Sequence, residues 1–193
     1  MNGISSPDPG TIIGTLTGEM NTAFTELERW FSLDETVRDY HSPAEEWTIG
    51  LILEHVSLVN RYLLLLIDKG ARKALRRADG ASIARELDHY ELTSPLLEDI
   101  GVNNSFRWKC PDHMAPAGKS TPAQIQEELM SQKSRLMDHL RMLKNGEGVL
   151  CKTHMSVHSL GKLDVYQYIY FLLKHIRRHV QQMKEIEKEY KEI

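Results

Sequence analysis

The 193-residue chain is poor in cysteine: Cys110 and Cys151 are its whole complement, and neither stands in a Cys-x-x-Cys or Cys/His finger spacing. That excludes a disulfide framework and a structural zinc knuckle, and it suits a reducing cytoplasm. Charge of one sign is also lacking. Lys and Arg total 24 against 27 Asp and Glu, a formal net charge of -3, which leaves no electrostatic footprint for DNA or RNA. Long apolar runs are missing too, since the stretch Tyr62 to Ile67 falls far short of the roughly 18 residues that span a bilayer. The opening "MNGISSPDPG" has no basic segment leading into an apolar run, so neither a signal nor a transit peptide is expected. What is present, 41% hydrophobic and 26% charged residues, is globular composition with length enough for a single domain over 1–193.

Alternation of apolar and polar residues is absent as well, and helical periodicity takes its place. Ile12, Ile13, Leu16, Met20, Phe24, Leu27 and Phe31 keep a three-four spacing, predicting a first helix over Thr11 to Phe31. Ser42, with Pro43 next and Glu45 three positions on, reads as a capping signal for a second helix from about Trp47 to 68, extending toward 77. Residues 79–120 break the order with several Pro and Gly pairs and one short helix near Ser82 to Tyr90. A connection that long needs a reason. "STPAQIQEEL" restarts helix formation, with Ser120 or Thr121 as cap and Pro122 at the first helical position, to about Lys144. Asp164 caps a last helix through about Tyr190. Four long amphipathic helices predict an all-α, four-helix bundle. The long central link lets the chain return between the second and third helices, giving an up-down-down-up topology.

Histidine is where the pattern turns to chemistry. His89, His113, His154 and His158 fall in connections, and His41 and His139 read as solvent-facing. His55 shares the apolar stripe of its helix with Leu51, Ile52, Val59 and Tyr62. His175 and His179, four apart, continue the stripe of Tyr168, Phe171, Leu172, Met183 and Ile186, while Arg177 and Arg178 are expected to point away. Three inward imidazoles cost desolvation unless each finds a partner, and one divalent metal serves all three through neutral nitrogens. The competing reading is three hydrogen-bonded core histidines.

The stretches "EWTIGLILEHVSLVNRYLLLLI", "HMAPAGKSTPAQIQEEL" and "HSLGKLDVYQYIYFLLKHIRRHVQQMKEI" resemble the DinB-like, or damage-inducible, superfamily of bacterial helical bundles, including its metal-dependent hydrolase branch. The resemblance covers Thr11 to Ile186. It implies a divalent ion, zinc or nickel first and manganese or iron next, bound by one histidine of the second helix and a pair on the last, which here are His55, His175 and His179. It further implies up-down-down-up topology, a frequent homodimer and a cytoplasmic location. Some relatives are similar to thiol transferases that attach bacillithiol or another low-molecular-weight thiol to electrophiles, and some resemble a mycothiol-dependent isomerase.

An ion held by three neutral nitrogens keeps an open position for water or a thiolate, so hydrolysis of a small-molecule substrate and transfer of a low-molecular-weight thiol both remain open. Tyr168 and Gln182 share the last helix's stripe and are candidates to orient the ligands, with core and rim positions as the competing reading. Glu54 follows the wrong angle to serve as acid or base. The basic residues Lys69, Arg72, Lys73, Arg76 and Arg77 read as favourable charge at a helix C-terminus rather than an anion site, and "AGKS" lacks the spacing of a phosphate-binding loop. Two alternatives stand: a stress-response bundle that binds metal or a small ligand without turnover, and an interaction bundle with structural histidines.

Overall fold

The computed structural model describes residues 8–193. Residues 1–7, and with them most of the stretch used to argue against a targeting peptide, lie outside the described residues. Helix α1 (Pro9–Glu28) starts with proline at its first position, where the missing N–H costs nothing, and tightens into a 3-10 turn at Arg29–Ser32. The short α2 (Glu35–Arg38) leads to α3 (Ile49–Arg77). Its cap is Thr48, whose Oγ1 accepts from the Leu51 N–H; Ser42, expected to cap, instead accepts from Ala44 N–H and donates to Glu189 on the last helix. A serine hydroxyl aimed at a carboxylate gains a charge-assisted bond that a cap position does not offer.

The central connection holds α4 (Gly80–Leu87), slightly earlier than expected, and α5 (Pro95–Ile100), which periodicity missed because six residues are too few to show a period. Helix α6 (Pro122–Met142) begins with a full capping box between Thr121 and Gln124, and α7 (Val165–Lys191) with another between Asp164 and Gln167. Between them lies a small antiparallel hairpin, β1 (Thr153–Met155) on β2 (Gly161–Leu163), with Thr153 opposite Leu163. It corrects the expectation of no strand: three-residue strands are invisible to an alternation test.

The four long helices pack α1 on α7, α7 on α3, α3 on α6 and α6 on α1. Glu19 meets Lys174, Glu26 meets Lys184 and Arg29 meets Glu187, so α1 and α7 run in the same sense. Arg61 with Glu128 and Asp68 with Arg135 show the same for α3 and α6. Helices α3 and α7 run oppositely: His55 lies by His175 and His179, while Gly70 comes so close to Val165 that an added Cβ would stand 3.1 Å from its Cγ2. Phe24, Trp30, Ile52, Leu136, Tyr166 and Phe171 are among the fully enclosed side chains of the core. Each large one contributes roughly 1.5–3 kcal/mol by leaving water. Helix α3 is long and apolar enough to cross a membrane, but most of that stretch is buried against its neighbours, so the core accounts for it.

Candidate metal centre

The capped starts of α3 and α7 set the helical phase that turns His55, His175 and His179 inward, with 5%, 2% and 8% of their surface exposed. Their rings meet: centroids lie 4.8 Å apart for His55 and His179, 5.3 Å for His55 and His175, and 4.5 Å for His175 and His179. One nitrogen from each lies within 4.8 Å of the others.

Hydrogen bonds choose the tautomers. The Nδ1–H of His55 donates to the Met114 carbonyl at 2.8 Å, and that of His179 donates to Gln182 Oε1 at 2.8 Å. Gln182 is itself held because its Nε2 donates to Glu45 at 2.6 Å. In both histidines Nε2 therefore carries a lone pair. His179 Nε2 sits 3.1 Å from His175 Nε2, and His175 Nδ1 is buried without a partner. Either His175 keeps its proton on Nδ1 and two lone pairs confront each other, or it protonates Nε2 and leaves a bare acceptor in the core. A cation between the nitrogens removes the repulsion of the first arrangement. The separation is also right: two nitrogens each about 2.05 Å from one ion stand roughly 3–3.4 Å apart.

Burial pushes the pKa of all three imidazoles down. His55 lies below its ordinary value, His175 well below it with further repulsion from the other two rings and Arg178, and His179 falls to about 3. All three are neutral at pH 7, the form that ligates a metal. Trp47 packs 4.7 Å from the His55 ring and Trp108 5.5 Å from that of His175, fixing both. The group opens on a cavity of about 1180 Å³, large enough for a sizeable organic molecule.

Gln182 is thus placed to orient His179, whereas Tyr168 lines the cavity but donates to the His154 carbonyl at 3.0 Å and touches none of the three rings by a hydrogen bond. Two expectations fail here. Arg178 does not point away: it is 7% exposed and lines the cavity, while Arg177 does face solvent. His139 is not solvent-facing but buried, its Nε2 2.6 Å from Asp68. In each case a loop or helix distant in sequence covers a position that looks exposed along its own helix. Glu54 is buried as well, and its carboxylate accepts from the N–H groups of Ala117, Gly118 and Lys119. The "AGKS" loop is therefore an anion cradle filled from within the protein. That bond network pins the loop just beyond Met114, whose carbonyl orients His55. Reading the sequence did not find Met114, Trp108 or Glu45; only "HMAPAG" hinted that the long connection carries something specific.

An all-α protein with three neutral, converging imidazoles over a cavity forms a class that can hold a divalent metal ion. The chain belongs to the DinB superfamily, whose family model matches residues 21–183. It is similar to a Bacillus subtilis (strain 168) protein, the uncharacterized protein YuaE, at 29% identity over 165 residues, covering 83% of this chain and 91% of that one. No solved structure matches.

Proposed function

We propose that His55, His175 and His179 hold a divalent metal, zinc or nickel first and manganese or iron next, and that the chain is a metal-dependent hydrolase or low-molecular-weight thiol S-transferase. The observation that carries this reading is the confrontation of Nε2 atoms at 3.1 Å in a pocket where burial keeps every imidazole neutral. A bound ion would supply Lewis acidity and an open coordination position at the cavity floor. The protein's own residues do the rest. Met114 and Gln182 hold two rings in the tautomer that presents Nε2, Trp47 and Trp108 exclude water from their flanks, and the cavity receives the small-molecule substrate. Cytoplasmic location and homodimer formation belong to the same proposal and rest on the resemblance alone.

A second reading, a metal- or ligand-binding bundle without turnover, is favoured because the acids and bases at the cavity lining, Glu46, Asp112, His113 and His154, are solvent-exposed rather than enclosed beside the three rings. Burial holds the Tyr168 phenol and the Cys110 thiol above their ordinary values, so both stay protonated at pH 7, and the phenol is committed to a carbonyl. Elemental analysis of protein purified without an affinity tag, joined to a thiol-transfer screen with monochlorobimane-type electrophiles and several thiols, separates the two. Stoichiometric metal with turnover supports the enzyme. Stoichiometric metal without turnover on thiols or esters supports the binding protein, and no metal before or after reloading removes both.

A further inference from the structure

Two Lys and Arg side chains are buried among the described residues, and one of the two has a carboxylate as counter-charge. Lys174, 3% exposed, has Glu98 at 2.9 Å and Glu19 at 3.9 Å. Arg178, one helical turn on and 7% exposed, has no carboxylate within ion-pair distance among the described residues. Its Nη1 donates to the Val102 carbonyl at 2.7 Å and Ser105 Oγ at 3.3 Å, and its Nη2 to the Phe106 carbonyl at 3.3 Å. Nε–H makes no hydrogen bond among the described residues, and Nη2 uses one of its two hydrogens. Nε and Nη2 share the edge of a guanidinium that grips a carboxylate with two parallel bonds. Tethering a loop explains three hydrogen bonds but not a buried charge, because a neutral donor would serve the same carbonyls at a smaller desolvation cost.

Arg178 also lines the cavity beside the three histidines. Its guanidinium lies 5.0 Å from the Phe106 ring and 5.9 Å from that of Trp108, and Trp108 meets Phe171 at 5.8 Å. The wall next to the cation is thus aromatic. Arg107 and Lys109 add exposed positive charge at the lining. Of the acids that also line it, Glu45 is engaged by Gln182, while Glu46 and Asp112 are exposed.

We propose that Arg178 is the anion anchor of this cavity, and that the molecule bound there carries a carboxylate on an aromatic or otherwise apolar body. This deepens the metal-site reading by naming the class of molecule presented to it, and the carboxylate sits on Arg178 rather than on the three histidines.

Titration calorimetry of the full chain with benzoate and its neutral isostere benzamide tests it, on protein stripped with chelator and on zinc-reloaded protein. In both states benzoate binds about tenfold or more tightly than benzamide. Arg178→Gln abolishes that preference and leaves zinc content unchanged, and Arg178→Lys restores part of it. Equal affinity of the two probes for stripped wild-type protein overturns the proposal, and this comparison stands even if Arg178→Gln does not fold. A benzoate preference that appears only with zinc and survives Arg178→Gln also overturns it, because the ion is then the anion's partner. Zinc uptake is read separately by elemental analysis. Failure to take up zinc sinks the metal site, while the stripped-protein titration still decides the anchor.

Discussion

One buried histidine and a group of three, on neighbouring helices, have met burial in opposite ways. On α6, His139 faces Asp68 at 2.6 Å, and Arg135 closes on the other oxygen of that carboxylate at 2.7 Å. That imidazole has an anion, and the trio ties α6 to α3. On the facing seam, His55, His175 and His179 have each other, a carbonyl and an amide, but no carboxylate. The lesson is that burial alone does not mark a ligand. His139 has a carboxylate on Nε2 although its Nδ1 is left without a partner among the described residues, whereas three histidines whose nitrogens converge on one point, with no carboxylate among them, can hold a cation.

The sharpest way to break this comparison is to delete one member of each set and measure metal. His175→Ala or His55→Ala loses the ion entirely, and His139→Ala retains it, as read by elemental analysis of tag-free protein; equal content in all three would dismiss the ligand assignment.

Acid comes next in size. Unfolded imidazoles titrate near 6.5, while burial holds these three lower in the fold. Below pH about 6.5 the unfolded chain binds more protons than the folded one, so stability falls as pH drops, by up to about 1.4 kcal/mol per pH unit for each imidazole that stays neutral. Denaturant midpoints of metal-free protein should therefore decline from pH 7 to pH 5. Replacing His179 by leucine should flatten the decline, and an unchanged slope would show that the ring takes up its proton without unfolding. Because burial keeps the folded rings neutral, metal occupancy of the folded protein holds to lower pH than an exposed three-imidazole site would allow and falls only where the folded rings take up protons.

The α6 trio should show the converse behaviour, a stability effect without a metal effect. Asp68→Ala leaves His139 buried without its partner and costs about 2 kcal/mol by chemical denaturation, with metal content unchanged. Smallest is Gln182→Ala, which frees the His179 ring but removes no ligand; metal affinity drops about tenfold in a competition titration with a chromophoric chelator. A full loss on that substitution would make Gln182 more than an orienting group.

Much of this architecture is legible locally. The positions of the long helices follow from apolar spacing, and their starts from Thr121 with Pro122 and from Asp164, because a cap and a period involve residues within one or two turns of each other. The same locality explains the misses. Ser42 resembles a cap until Glu189, on the last helix, takes its hydroxyl. His139 and Arg178 resemble surface residues until Asp68 and the loop 102–106 cover them.

The inward phase of His55, His175 and His179 was thus set by the sequence alone, since a helix fixes which side chains share a face. Whether those faces meet, which nitrogen of each ring is free, and which buried charge lacks a partner were decided only by tertiary structure. Those outcomes depend on carbonyls, amides and carboxylates brought together from segments far apart in the chain, and no local period encodes that meeting.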